Sequence, residues 1–255
     1  MNEGVTGMKV FSVCGITKSG KTTTIEHIIR ELAARGYKVG SVKEIHNESF
    51  AIDPGPDSNT FRHRQAGSAL VTARGNHETD ILFPGKMDMR TLLSSCYHGF
   101  DYVVLEGVDD IPVPTILTAR TPGELADRWG GFVFCVSGVI SGRLPAYKGI
   151  PSLSAVSDSK PLVDLIERKV YDLLPDIDPD CCRACGCSCR ELGVKILAGE
   201  ARRAFCVADR GVELTIGSHR IDLAPFVQKV LRGTILGVVR ELDGFRDHAE
   251  IRIKF

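Results

Sequence analysis

The residues Gly15-Ile16-Thr17-Lys18-Ser19-Gly20-Lys21-Thr22 constrain the fold more than any other stretch of the chain. They match G-x-x-x-x-G-K-[ST], a pattern with a mechanism only where a buried strand passes into a helix through a loop of free backbone amides. The flanks meet that requirement. Val10-Phe11-Ser12-Val13-Cys14 reads as a buried strand, and Lys21 to Arg35 reads as a helix ending at Gly36, with Ile25, Ile28, Ile29 and Leu32 on one face. Glycines let amide N–H groups approach phosphates, and the helix N-terminus adds partial positive charge. Lys21 is expected to neutralise the β- and γ-oxygens, and Thr22 to ligate magnesium. The expected ligand is a nucleoside triphosphate with Mg2+, held by Gly15, Thr17, Lys18, Ser19, Gly20, Lys21, Thr22 and Thr23. The alternative is an ordinary glycine-rich turn between strand and helix.

The pattern continues as short β-branched runs alternating with helix-period runs to about Leu174, which predicts an α/β domain with a mostly parallel sheet, a P-loop nucleoside triphosphatase fold over residues 1–174. Strands are expected at 37–43, 69–73, 80–83, 102–106, 115–118 and 132–137, and helices at 90–96, 122–128 and 161–174. Asp57 is expected to cap a further helix running to about Ala66. A Pro- and Asp-rich run at 174–180 marks a boundary, followed by a small cysteine-rich module over 175–206 and a small α+β tail over 207–255. In the tail, Val212–Ile216 and Arg220–Leu223 flank Gly217-Ser218 as a hairpin, Pro225–Leu242 has helical period, and Glu250–Lys254 reads as a strand.

Asp101-Tyr102-Val103-Val104-Leu105-Glu106-Gly107 delivers an acid at the carboxyl end of a strand, the edge of an open α/β sheet where ligands bind. Glu106 is therefore a candidate for the magnesium shell or the attacking water. Asp53 and Asp57 lie in the loop after the second strand, where a nucleotide-sensing switch could sit or where two loop acids have no role. With Lys21, Glu106 and Asp53 are the candidate catalytic residues. Lys43, His46, Arg62, His63, Arg64 and Arg74 cluster nearby in sequence, and Lys43, Arg62 and Arg64 are candidates for a second anionic ligand, since guanidinium groups donate paired hydrogen bonds to phosphate. The alternative for Arg62–Arg64 is a solvated helix turn. A guanine-specific G protein usually shows Asn-Lys-x-Asp after a late strand. Here Phe134-Cys135-Val136-Ser137-Gly138 stands in that place, so the residues alone do not separate GTP from ATP.

Taken together, the loop Gly15 to Thr24, Val42-Lys43 with His46, Asp53 and Asp57, Arg62-His63-Arg64-Gln65-Ala66-Gly67 and Val104-Leu105-Glu106-Gly107 resemble the molybdopterin-guanine dinucleotide biosynthesis protein B family over residues 8–174. The resemblance implies a GTP-binding adapter, usually a homodimer, with weak GTPase activity. Such proteins assist attachment of GMP to molybdopterin and handover of the molybdenum or tungsten cofactor, so the implied partners are molybdopterin or its guanylyltransferase and a molybdenum or tungsten enzyme. Where a typical member carries Lys-His and then paired histidines, this chain has Lys43-Glu44-Ile45-His46-Asn47. A nucleotide-gated metallochaperone or iron–sulfur scaffold, and a small-molecule kinase, are the alternative functions.

Six of the 9 cysteines, Cys181, Cys182, Cys185, Cys187, Cys189 and Cys206, fall in one short polar stretch. In a reducing compartment such clustering points to metal rather than disulfides. Cys182, Cys185, Cys189 and Cys206 supply the four thiolates that a [4Fe–4S] cluster or a structural Zn2+ requires. Iron–sulfur is favoured, because zinc ribbons prefer two Cys-x2-Cys pairs and one is present. Whether Cys187 or Cys189 is the third ligand stays open, with Cys189 preferred. Charge argues against bulk attraction to nucleic acid or an acidic membrane: 32 Lys and Arg balance 32 Asp and Glu. No run approaches the roughly 18 apolar residues of a membrane span, and the start lacks the form of a signal peptide, so a cytoplasmic protein is expected.

Overall fold

The computed structural model describes residues 7–47, 50–51, 55, 57–176, 185–206, 214–216, 219–221 and 225–243. In chain order the elements are β1 (Lys9–Gly15), α1 (Lys21–Ala34), β2 (Val39–Lys43), α2 (Asn59–Gln65), β3 (Val71–Arg74), β4 (Thr79–Leu82), α3 (Met89–Cys96), β5 (Tyr102–Glu106), β6 (Thr115–Thr118), α4 (Pro122–Asp127), β7 (Val133–Ser137), β8 (Ala146–Tyr147), β9 (Ile150–Pro151), α5 (Lys160–Lys169), α6 (Cys189–Ala198), β10 (Leu214–Ile216), β11 (His219–Ile221) and α7 (Pro225–Val239). Five strands form a parallel sheet in the order β2-β5-β1-β6-β7. The fold is α/β, with β1 at the centre of the sheet. Because the chain leaves β1 toward one side and later returns to build the other, the carboxyl end of β1 lies at the point where such a sheet opens a crevice.

Both faces of the sheet are covered, so its strands are apolar on alternate residues in both directions. Phe11, Val13, Val104, Ile116 and Phe134 face α1 and α5, where Ile25, Ile28, Leu32, Leu162 and Ile166 complete one cluster. Val10, Val103 and Leu105 point the opposite way, against Met89 and Leu93 of α3 and against Val108, Ile111 and Val113. Leu192 and Leu197 of α6, with Cys189 and Cys206, are buried in the first of these clusters. Cys135 is also buried there, and burial pushes its thiol up to about 12. Since the thiolate is the reactive form, iodoacetamide at pH 8 should spare Cys135 in the native chain while modifying the exposed Cys96. Peptide mapping would read this, and modification of Cys135 at the rate of Cys96 would refute the burial.

Four local expectations are corrected. The runs near 69–73 and 80–83 do not join the main sheet. They are β3 and β4, an antiparallel pair joining Val71 to Leu82 and Arg74 to Thr79. Four residues separate them, too few for the crossover that a parallel pair demands. Ser58, not Asp57, caps α2, accepting from the Phe61 amide at 3.0 Å. The helix expected to reach Leu174 ends at Lys169, because Val170 turns extended and the following residues run beside β1, with Asp172 bridging Lys9 and the Leu173 amide donating to Met8. The helix expected to reach Leu242 ends at Val239. The hairpin β10–β11 pairs Leu214 with Ile221, whereas 212–213, 217–218, 222–223 and the expected strand at 250–254 lie outside the described residues. Sequence reading missed β8 and β9, which are two residues each.

Candidate functional site

The loop after β1 is built by backbone geometry that its residue types permit. Gly20 precedes α1 at φ 97°, and Lys18 takes φ 63°. Serine and threonine lock the loop from inside. Ser19 donates its hydroxyl to Ile16 O at 2.7 Å and lies 2.8 Å from Thr118 Oγ1, which in turn donates to Cys14 O at 3.0 Å. From the other side Gly138, at φ 79°, packs on the loop, and the Val139 amide donates to Ser19 O.

The amide ends of the helices differ in a way that matters for anions. Ser58, Asp88, Thr121 and Ser188 cap α2, α3, α4 and α6 with side-chain oxygens, whereas Gly20 offers α1 none. The first turn of α1 thus has no side-chain cap, as is also true of α5, and the helix dipole there favours negative charge.

Around this loop the tertiary fold assembles a charged set from β2, β5 and the start of α1. Glu106, at the end of β5 and 8% exposed, accepts from Thr22 Oγ1 at 2.8 Å and from Lys43 Nζ at 2.6 Å. Parallel pairing of β2 with β5 places Lys43 opposite Glu106. Burial alone would favour the neutral acid, but the hydrogen bonds from Lys43 and Thr22 and the charges of Lys43 and Lys21 outweigh it, so the carboxyl is held below its usual range. Lys21 donates to Gly15 O at 2.8 Å and Ile16 O at 2.7 Å. Burial lowers its ammonium from the usual lysine value; the Glu106 charge opposes this, and Lys43 and Arg128 reinforce it. Two cations and one hydroxyl-bonded carboxylate at a helix N-terminus form a set suited to a phosphate chain and its metal ion.

The cleft containing this set has a volume of about 1560 Å³. Gly15, Thr17, Lys18, Gly20, Lys21, Thr22, Thr23, Lys43 and Glu106 all line it, as does His46, while Ser19 is buried beneath the loop. Arg62 and Arg64 sit on α2, outside that lining, and Asp53 lies outside the described residues. Thr118, Arg128, Gly138 and Arg190 were not singled out as site residues. A glycine following a strand gave a faint signal for Gly138; Arg190 gave none, since it reaches the cleft from a distant helix.

Of the cysteine set, Cys189 and Cys206 are buried in one cluster, with Cys185 and Cys187 packed against it. The Cys185 and Cys187 sulfurs lie 3.8 Å apart. Cys181 and Cys182 are outside the described residues, and among the described residues no three His, Cys, Asp or Glu side chains are placed to share a metal ion. No described helix is long and apolar enough to cross a membrane.

Residues 10–128 match the family model described as MobB, molybdopterin guanine dinucleotide synthesis protein B. A protein of Methanocaldococcus jannaschii, provisionally described as a molybdopterin-guanine dinucleotide biosynthesis adapter protein, is 24% identical over 256 residues, 97% of each chain. The Haemophilus influenzae molybdopterin-guanine dinucleotide biosynthesis adapter protein is 31% identical over 121 residues, 44% of this chain and 63% of its own. The crystal structure of Bacillus subtilis MobB aligns with a TM-score of 0.51 at 20% identity, over 65% of this chain and 99% of that one. At that identity the likeness speaks for the fold.

Proposed function

We propose that the chain, whose residues 10–128 match the family model of molybdopterin guanine dinucleotide synthesis protein B, is an adapter in molybdopterin guanine dinucleotide synthesis that binds GTP with magnesium at the phosphate loop. The observation that carries this reading is the convergence of Lys21, Thr22, Lys43 and Glu106 on the uncapped N-terminus of α1. In this reading the first-turn amides and Lys21 bind the phosphates. Thr22 and Glu106 would hold the magnesium ion, which would supply charge neutralisation to the phosphates. Lys43 keeps Glu106 ionised. Hydrolysis would be weak, and Asp53 and Glu106 are the residues assigned to it or to a switch. Arg62 and Arg64 are assigned to an anionic partner surface rather than to the cleft. A guanylyltransferase, molybdopterin and a molybdenum or tungsten enzyme are the proposed partners, with the chain acting as a homodimer.

A metal centre held by Cys182, Cys185, Cys189 and Cys206 is the second part of the reading. Its support is the spacing of these cysteines in the sequence and the 3.8 Å approach of the Cys185 and Cys187 sulfurs, since among the described residues no three such side chains are placed to share a metal ion. One experiment tests both parts: anaerobically purified full chain is assayed for iron, zinc and sulfide and titrated with GTP–Mg2+ and ATP–Mg2+. Four iron and four sulfide per chain with GTP preferred are expected. ATP preference would remove the GTP assignment, and a chain without iron or zinc would remove the metal centre.

A further inference from the structure

The described cysteines sort by how far solvent reaches them. Cys135, Cys189 and Cys206 are buried, whereas Cys185 and Cys187 are half-buried and stand side by side, their sulfurs 3.8 Å apart. Local chain geometry holds the two together. Residues two apart on a chain are separated by at most about 7 Å between Cα atoms, and Gly186 between them takes φ 80°, which bends the backbone. The Cys185 thiol donates to Cys187 O at 3.4 Å across the turn. A Cβ on Gly186 would meet nothing within 4 Å, so that side of the turn is open to a reagent. Immediately after it the Ser188–Glu191 capping box fixes the start of α6, with the Ser188 amide donating to Glu191 Oε2 at 2.7 Å. The turn therefore leads into an ordered helix end.

A sulfur–sulfur bond is about 2.05 Å long and joins Cα atoms about 4.4–6.8 Å apart, a span that lies within the reach of this turn. Rotation of the two side chains is the movement that brings their sulfurs from 3.8 Å to bonding distance. We propose that Cys185 and Cys187 are a redox-active pair that exchanges with small-molecule disulfides, and that the Cys185–Cys187 disulfide keeps metal out of the cysteine set. One thiolate attacks the reagent disulfide, which forms a mixed disulfide and releases one thiol. The neighbouring thiol, held in place by the turn, then displaces the second. The protein gives up two protons and two electrons, and the reagent disulfide becomes two thiols. A sulfur in a disulfide has no thiolate to offer a metal ion, so oxidation withdraws Cys185 from the set of Cys182, Cys185, Cys189 and Cys206. This second half rests on the metal centre proposed above. Oxidation and metal binding are then alternatives at one sulfur, which makes loading of the site depend on reducing surroundings.

The test uses the full chain, freed of metal by a chelator under reductant and desalted without oxygen. It is incubated with oxidised glutathione, then unfolded, alkylated, digested with trypsin and mapped by tandem mass spectrometry. The fragment 184–190, which holds Cys185, Cys187 and Cys189, should carry a disulfide between Cys185 and Cys187 with Cys189 alkylated. In Cys187→Ser the exchange should stop at a mixed disulfide of glutathione on Cys185. Zinc should bind the oxidised chain at least about tenfold more weakly than the reduced one, as expected for losing a ligand, and dithiothreitol should restore binding. The proposal is overturned if Cys185 and Cys187 stay free, if the wild-type chain stops at a mixed disulfide, or if the disulfide maps to another pair of cysteines. It is also overturned if zinc binds the oxidised chain as tightly as it binds the reduced one. A reduced chain that binds neither zinc nor iron would remove the metal centre alone; the mass map needs no metal and would still decide the pair.

Discussion

Replacing Lys21 by alanine is expected to lower GTP affinity by about a hundredfold or more while the chain stays folded. The ammonium makes its hydrogen bonds to Gly15 O and Ile16 O, within its own loop, and takes no part in the buried clusters. Its removal therefore costs little packing. In the loop, burial already disfavours its charge, and an arriving triphosphate would compensate that cost and exchange the carbonyl bonds for stronger ones to phosphate oxygens. Calorimetric titration of GTP–Mg2+ into wild type and Lys21→Ala, with circular dichroism on both, reads the two effects separately. A variant that keeps its spectrum and its GTP affinity would refute the phosphate-loop assignment. Any metal content should be the same in both proteins, because the hydrogen bonds of Lys21 go to Gly15 O and Ile16 O and to none of the clustered cysteines.

Gly138→Ala should be more damaging to the structure than any change at the charged residues. Gly138 has φ 79°, and a Cβ there would overlap the Ser19 carbonyl oxygen and lie 2.9 Å from Thr118 Cβ. The left-handed backbone costs an alanine roughly 1–2 kcal/mol, and overpacking against a backbone atom adds roughly 1–3. A destabilisation of about 3 kcal/mol is expected, with weaker GTP binding because the displaced atom belongs to the loop. Denaturant unfolding measures the first effect and titration the second. A midpoint within error of wild type would mean that the loop and the turn after β7 move apart without penalty. By contrast Gly36→Ala, where a Cβ would meet nothing within 4 Å, carries the backbone strain alone and should cost less.

Much of the α/β fold was legible in the residues. Alternation of apolar side chains located β1, β5, β6 and β7, helical period located α1, and the loop pattern joined β1 to α1. Glu106 was legible as an acid at a strand end, and Lys43 as a basic residue at another. Their contact was not, because it depends on the parallel register that sets Lys43 opposite Glu106 across 63 residues of sequence. The hairpin β3–β4 was read as two members of the main sheet because period-two alternation reports that a strand has an inside face, without reporting which sheet supplies it.

What the residues determine by themselves is local: the φ values that glycines permit, the face each helix buries, and the amides, hydroxyls and charge offered by Gly15 to Thr22. These follow from sterics and from interactions within a few neighbours. The tertiary structure alone decided that Gly138 presses on the loop from the turn after β7, that Glu106 joins Thr22 to Lys43, and that Arg190 lines the cleft from α6. Such contacts arise from strand order and from how closely one backbone can approach another. Both are set by packing summed over the whole core, so no window of sequence contains them.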